Sequence, residues 1–98
     1  MRLELVYSAS ALADLEAVLL YIALDNPRAA RQWVAEIEKR CELLCDFPEL
    51  GVERDDLVPG IRIFPYRRAV IAYRIQRTRI RIVRVFYGGQ DYATLMDL

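Results

Sequence analysis

The tripeptide Asp25-Asn26-Pro27 divides a stretch that would otherwise read as one long helix. Before it, Leu12, Leu15, Leu19 and Ile22 recur at three- and four-residue spacing, the period of an amphipathic helix. After it, Ala30, Trp33, Val34, Ile37, Cys41 and Leu44 do the same, with Arg31, Gln32, Glu38, Lys39 and Glu42 between them. Proline suits the first turn of a helix, and asparagine tolerates the left-handed conformation that ends one. The spacing predicts a first helix to about Leu24, capped by Ser8 or Ser10, with Asp14 and Glu16 early in it. A second helix follows from about Pro27 to Cys45. So short a connection leaves two antiparallel helices side by side.

The flanking segments have the period of strands. Arg2 and Glu4 alternate with Leu3 and Leu5 in a short first strand. A loop of about fifteen residues, DFPELGVERDDLVPG, is punctuated by Pro48, Gly51, Pro59 and Gly60. Three strands are expected beyond it, near Ile61–Phe64, Arg68–Ile75 and Arg79–Tyr87, with breaks at "PYR" and "QRT". Gly88-Gly89 ends the last strand. The order is β-α-α-β-β-β, with a helical hairpin packed on one face of a small, mainly antiparallel sheet. This is the α+β class, and the expectation is one domain spanning residues 1–98.

Charge is distributed unevenly along a chain of zero formal net charge. Between Leu57 and Gln90 there are eight arginines and no acid, whereas residues 1–56 carry twelve acids against six bases. Side chains alternate across a strand, so parity sorts the arginines. Ile61, Ile63, Ile71, Tyr73, Ile75, Ile80 and Ile82 are expected on the core face. A one-residue bulge near Ile82–Val83 then brings Val83 and Val85 into the core as well. The outward face collects Arg62, Arg68, Arg74, Arg79, Arg81 and Arg84, a candidate surface for an anionic or acidic target. The plainer reading is a solvated face that protects the sheet from aggregation.

The first helix carries a second apolar stripe, Ala13, Ala17, Leu20 and Leu24, opposite the first. Either it is buried between the sheet and the second helix, or part of it awaits a partner. In the second case Leu20, Tyr21 and Leu24 are the candidate contacts.

Several function classes find no support. Cys41 and Cys45 stand four apart on a helix, and the chain has no histidine to complete a metal site with them. Reduced, buried thiols are expected, with no metal and no cofactor. The longest apolar run, Ala17 to Leu24, is eight residues. A membrane span needs about 20. The start, MRLELVYSAS, lacks the pattern of a secretory leader, so a cytoplasmic location is expected, with no membrane partner.

The segments SALADLEAVLLYIALDNPRAARQWVAEIE, LLCDFPELGVERDDLVPGIR, AVIAYRI and IRIVRVFYGGQD, in that order, resemble successive signatures of ParE-type toxins. These belong to the RelE/ParE superfamily of type II toxin–antitoxin systems. The resemblance implies a β-α-α-β-β-β toxin fold with an open sheet face. It also implies a cognate, ParD-like antitoxin in a hetero-oligomer and a cellular target. For ParE-like members that target is DNA gyrase, and for RelE-like members it is mRNA on the ribosome.

Metal-free RNA cleavage requires a base for the 2′-hydroxyl, an acid for the leaving oxygen and cations for the phosphate. Arg62, Arg74 and Arg84 are candidate cations, and Tyr87 is the best remaining proton-transfer group. In similar chains the strand end reads RVLHGRRD, whereas here it is RVFYGGQD, with Tyr87 in place of the histidine. The departure weakens the nuclease reading. Three readings stand: a gyrase inhibitor held by an antitoxin, a ribosome-dependent endoribonuclease, and a non-toxic antitoxin-binding module.

Overall fold

The computed structural model describes residues 2–89 and 92–96. The element order is β1 (Glu4–Tyr7), α1 (Ala9–Ala23), α2 (Pro27–Asp46), β2 (Val52–Glu53), β3 (Arg62–Tyr66), β4 (Ala69–Gln76), β5 (Arg79–Tyr87) and α3 (Tyr92–Leu95). The strands form one sheet in the order β1-β5-β4-β3-β2. β1 runs parallel to β5, and the other pairs are antiparallel. None of the described helices is long and apolar enough to cross a membrane.

The helical hairpin forms as the sequence suggests, with one change of role at its turn. Asn26 has an extended backbone, φ −154°, and its side chain accepts from the Ala29 N–H at 3.1 Å. It therefore caps the start of α2 rather than ending α1, and Pro27 follows at the first helical position. Ser8 caps α1, accepting from the Ala11 N–H at 3.0 Å while its hydroxyl donates to the Val83 carbonyl at 2.7 Å. Asp14 lies beyond the first turn of α1, where the helix dipole has little hold on it.

Two-residue connections join β3 to β4 and β4 to β5, with φ of 54° at Arg67 and 45° at Arg77. Both hairpins thus open with a left-handed residue, as tight turns between twisted strands do. The expected break at Pro65 is absent, and β3 continues through Tyr66. The residue pair flanking a two-residue turn is hydrogen-bonded, so Pro65, one position further on, needs no N–H toward β4. On its other side β2 reaches only as far as Ile63 and Arg62. That short edge strand lies inside the segment expected to be a structureless loop.

The pairing register divides the sheet into two apolar faces. Against the helices lie Ala69, Ile71, Tyr73, Ile80, Ile82 and Val85, packed with Ala11, Leu15, Ile37, Cys41, Leu44 and Cys45. On the opposite face Ile61, Ile63, Ala72, Val83, Phe86 and Met96 form a second, smaller core, flanked by Leu57, Val58, Val70 and Tyr92. Ile61 and Ile63 are therefore not on the helical face. Ile63 pairs with Ala72, whereas Arg62 pairs with Tyr73, and directly paired residues share a face. The bulge is where the alternation requires it, because the register steps from Tyr73↔Ile82 to Ala72↔Arg84 and leaves Val83 over. Its consequence differs from expectation: Val85 joins the helical core, but Val83 joins the second one. Ile75 is exposed instead of buried.

β1 pairs with β5 only as far as Ile82, which leaves the rest of that edge needing partners. Ser8 and Asp14 supply them. The Ser8 hydroxyl takes the Val83 carbonyl, and the Asp14 carboxylate accepts from the Val85 N–H at 2.9 Å.

Candidate functional site

The six arginines assigned to one face by parity are distributed over four places. Arg74 and Arg81 sit opposite each other on the face away from the helices, and Arg79 is paired with Gln76 one step along it. Arg62 lies on the helical side at the sheet edge, where it donates to the Gly51 carbonyl at 2.7 Å and stands 4.0 Å from Glu53. Arg68 belongs to the β3–β4 turn, with its guanidinium 5.3 Å from the centre of the Tyr87 ring. Arg84 is tied to Asp14 by two hydrogen bonds and lies 5.1 Å from the Phe86 ring. Pairing and turn geometry account for the difference, since Arg62 follows Tyr73 and Arg68 is not a strand residue.

The remaining trio has a distinct electrostatic environment. Among the described residues, no carboxylate lies within ion-pair distance of Arg74, Arg79 or Arg81. Like charges directly opposite in a sheet destabilise it, so the Arg74–Arg81 pair costs the fold something. The two border a cleft of about 350 Å³ with Ser8, Ser10, Gln76 and Val83. Among the described residues, nothing acidic lines it. Such a cleft suits phosphate or carboxylate oxygens.

The four residues proposed for phosphodiester cleavage do not converge. Tyr87 pairs with Ala69 on the helical face, between Trp33 at 5.4 Å and Tyr21 at 6.4 Å between ring centres. Arg74 is on the other face, Arg62 is held at Gly51, and Arg84 is held at Asp14. The hydrogen bond from Arg84 to Asp14 raises the guanidinium pKa further, which fixes its charge. The thiols supply no nucleophile either. Cys41 and Cys45 are free and buried, and burial pushes Cys41 up to about 12.

On α1 the second apolar stripe is uncovered. Leu20, Tyr21 and Leu24 are 60%, 67% and 85% exposed, and Ala13 and Ala17 are exposed beside them. Burial of this stripe between sheet and α2 is not observed. Leu12, expected in the core, is 54% exposed, and Ala11 takes the buried position. A second exposed apolar group, Phe47, Leu50 and Val52, stands near the β2 edge. It was not apparent in the sequence because these residues lie in a loop without periodicity.

Residues 5–92 match the family model described as ParE toxin of type II toxin-antitoxin system, parDE. The chain belongs to the ParE toxin family. Toxin ParE3 of Caulobacter vibrioides is 31% identical over 81 residues, which cover 82% of this chain and 81% of that protein. A solved chain from the chromosomal ParDE TA system of P. aeruginosa superposes with a TM-score of 0.75 at 26% identity. The match covers 89% of this chain and 97% of that one. The ParE assignment thus rests on sequence along most of the chain and on a shared arrangement of hairpin and sheet.

Proposed function

We propose that this ParE-family chain is a cytoplasmic toxin that inhibits DNA gyrase and is neutralised by a cognate ParD-like antitoxin. The observation that carries the target half is the trio Arg74, Arg79 and Arg81, gathered on one sheet face with no acid among the described residues to pair them. Guanidinium groups left in this state favour a polyanionic surface, such as gyrase-bound DNA or an acidic patch of the enzyme. The ribonuclease reading has less support, because the candidate proton-transfer residue Tyr87 lies on the opposite face from Arg74. The antitoxin half is supported by family membership and by the exposed Leu20, Tyr21 and Leu24.

Controlled expression in a bacterial host tests both halves. Growth arrest with induction of the DNA-damage response, relieved by co-expressing the antitoxin, is the expected result. Arrest accompanied by cleaved mRNA and intact DNA would instead support the ribosome as target. Normal growth at high expression would favour a non-toxic, antitoxin-binding module.

A further inference from the structure

Residues two apart on a strand point the same way, about 7 Å from one another. On β5 that relation joins Arg79 and Arg81, and Arg74 of β4 lies directly across from Arg81. Beyond them the β4–β5 turn carries the exposed Arg77, in a cleft shared with Gln76, Thr78 and Arg79. Four guanidinium groups thus follow one end of a two-stranded ribbon. Among the described residues, none of the four has a carboxylate within ion-pair distance. Glu4 occupies the register position beside Arg79 in β1, but the two form no ion pair.

Successive phosphates along a nucleic-acid strand are separated by nearly the distance that divides Arg79 from Arg81. The two can therefore hold neighbouring phosphates, each through paired N–H groups. The surroundings favour such a backbone over an acidic protein patch. A protein interface is anchored by apolar and aromatic side chains at its centre. The cleft beside Arg74 and Arg81 offers only Val83, which is 8% exposed, and its other walls are Ser8, Ser10 and Gln76. The Ser10 hydroxyl and the Gln76 amide are groups that donate to phosphate oxygens in DNA complexes. Single-strand binders, in turn, present aromatic rings on which unpaired bases stack. On this face Phe86 is buried in the second core, 6.1 Å from Tyr92 between ring centres. Cations without a stacking platform suit the backbone of a duplex.

We infer that the end of the β4–β5 hairpin grips the backbone of duplex DNA through Arg74, Arg77, Arg79 and Arg81, without reading its sequence. The inference rests on the reading that this face meets the toxin's target. It assigns the contact to the DNA of a gyrase–DNA complex rather than to the enzyme's own surface.

Fluorescence anisotropy of a short labelled DNA duplex of mixed sequence, titrated with the full chain at several salt concentrations, tests this. Four phosphate contacts should give a slope of about −3 to −4 for log affinity against log salt. Arg74→Gln/Arg81→Gln should flatten that slope by about 2. Arg28→Gln/Arg31→Gln, which removes the same charge from exposed positions of α2, should leave it unchanged. An equal change in both double variants would overturn the site. So would tighter binding of a single strand than of the duplex. No duplex binding at low salt by a chain that still blocks gyrase would overturn the inference, keep gyrase as the target and set the arginines against acidic protein. Duplex binding with the expected slopes, by a chain that leaves gyrase unaffected, would support the inference and overturn the gyrase reading.

Discussion

The Asp14 carboxylate holds the Arg84 guanidinium through two hydrogen bonds, 2.7 Å from Nε and 2.9 Å from a terminal nitrogen. The same carboxylate accepts from the Val85 N–H, so one α1 side chain closes the β5 edge and also neutralises one of the sheet arginines. Asp14→Ala should destabilise the protein by about 2 kcal/mol, since it leaves both a part-buried guanidinium and a backbone N–H without their acceptor. Arg84→Ala should cost less, because Val85 keeps its partner. Urea denaturation of the two variants checks the order, and equal losses would show that the Val85 hydrogen bond contributes nothing.

The hairpin, the succession β-α-α-β-β-β along the chain and the bulge were legible because each follows from local spacing, whereas the placing of β1 beside β5 is a pairing of distant residues. Pro27, the helical periods and the conflict at Ile82–Val83 involve neighbouring residues only. The faces of β3 were not legible, because its residues can alternate in either phase and only pairing with β4 sets Arg62 opposite Tyr73. Asp14 was visible as an early helical acid, but its partners are 70 and 71 residues away, at Arg84 and Val85. Arg67 and Arg77 carry positive φ without the glycine or asparagine that usually marks such turns. On α1 the second stripe was legible, but its spacing left burial and exposure of Leu20, Tyr21 and Leu24 equally open, and the packing of the hairpin decides for exposure.

A second buried junction joins the 47–61 segment to the sheet. The Tyr73 hydroxyl accepts from the Gly51 N–H at 2.8 Å and donates to the Pro48 carbonyl at 2.6 Å. Tyr73→Phe should cost about 1–2 kcal/mol by leaving a buried N–H unpaired. Gly51→Ala should cost about 1–3 kcal/mol, since its Cβ would stand 2.6 Å from a Tyr73 ring carbon. Thermal unfolding measures both, and an unshifted Gly51→Ala melt would contradict this packing.

Stability should fall in alkaline solution. Burial raises the Cys41 thiol from an ordinary 9.0 to about 12 and raises the Tyr7 phenol as well. The unfolded chain therefore loses these protons at lower pH than the folded one. Their contribution is complete below about pH 9 and is lost progressively toward pH 12. Urea midpoints should drop above pH 9, and iodoacetamide at pH 8 should alkylate the native thiols only as fast as the protein opens.

Leu20→Ser and Leu24→Ser should leave stability within about 0.5 kcal/mol, because both side chains are already in water. Together they should weaken antitoxin binding by at least about tenfold if the α1 stripe is the contact. Calorimetric titration of the double variant checks this, and undiminished affinity would place the contact elsewhere.

Plasmid supercoiling by purified DNA gyrase, titrated with the wild-type chain and with Arg74→Gln/Arg81→Gln, tests gyrase as the target and the open-face arginines as its contact. Wild type is expected to block supercoiling. The double variant, with the like-charge pair relieved and stability unchanged or raised by up to about 1 kcal/mol, is expected not to. Inhibition by both proteins alike would contradict the role of the open-face arginines, and inhibition by neither would contradict gyrase as the target.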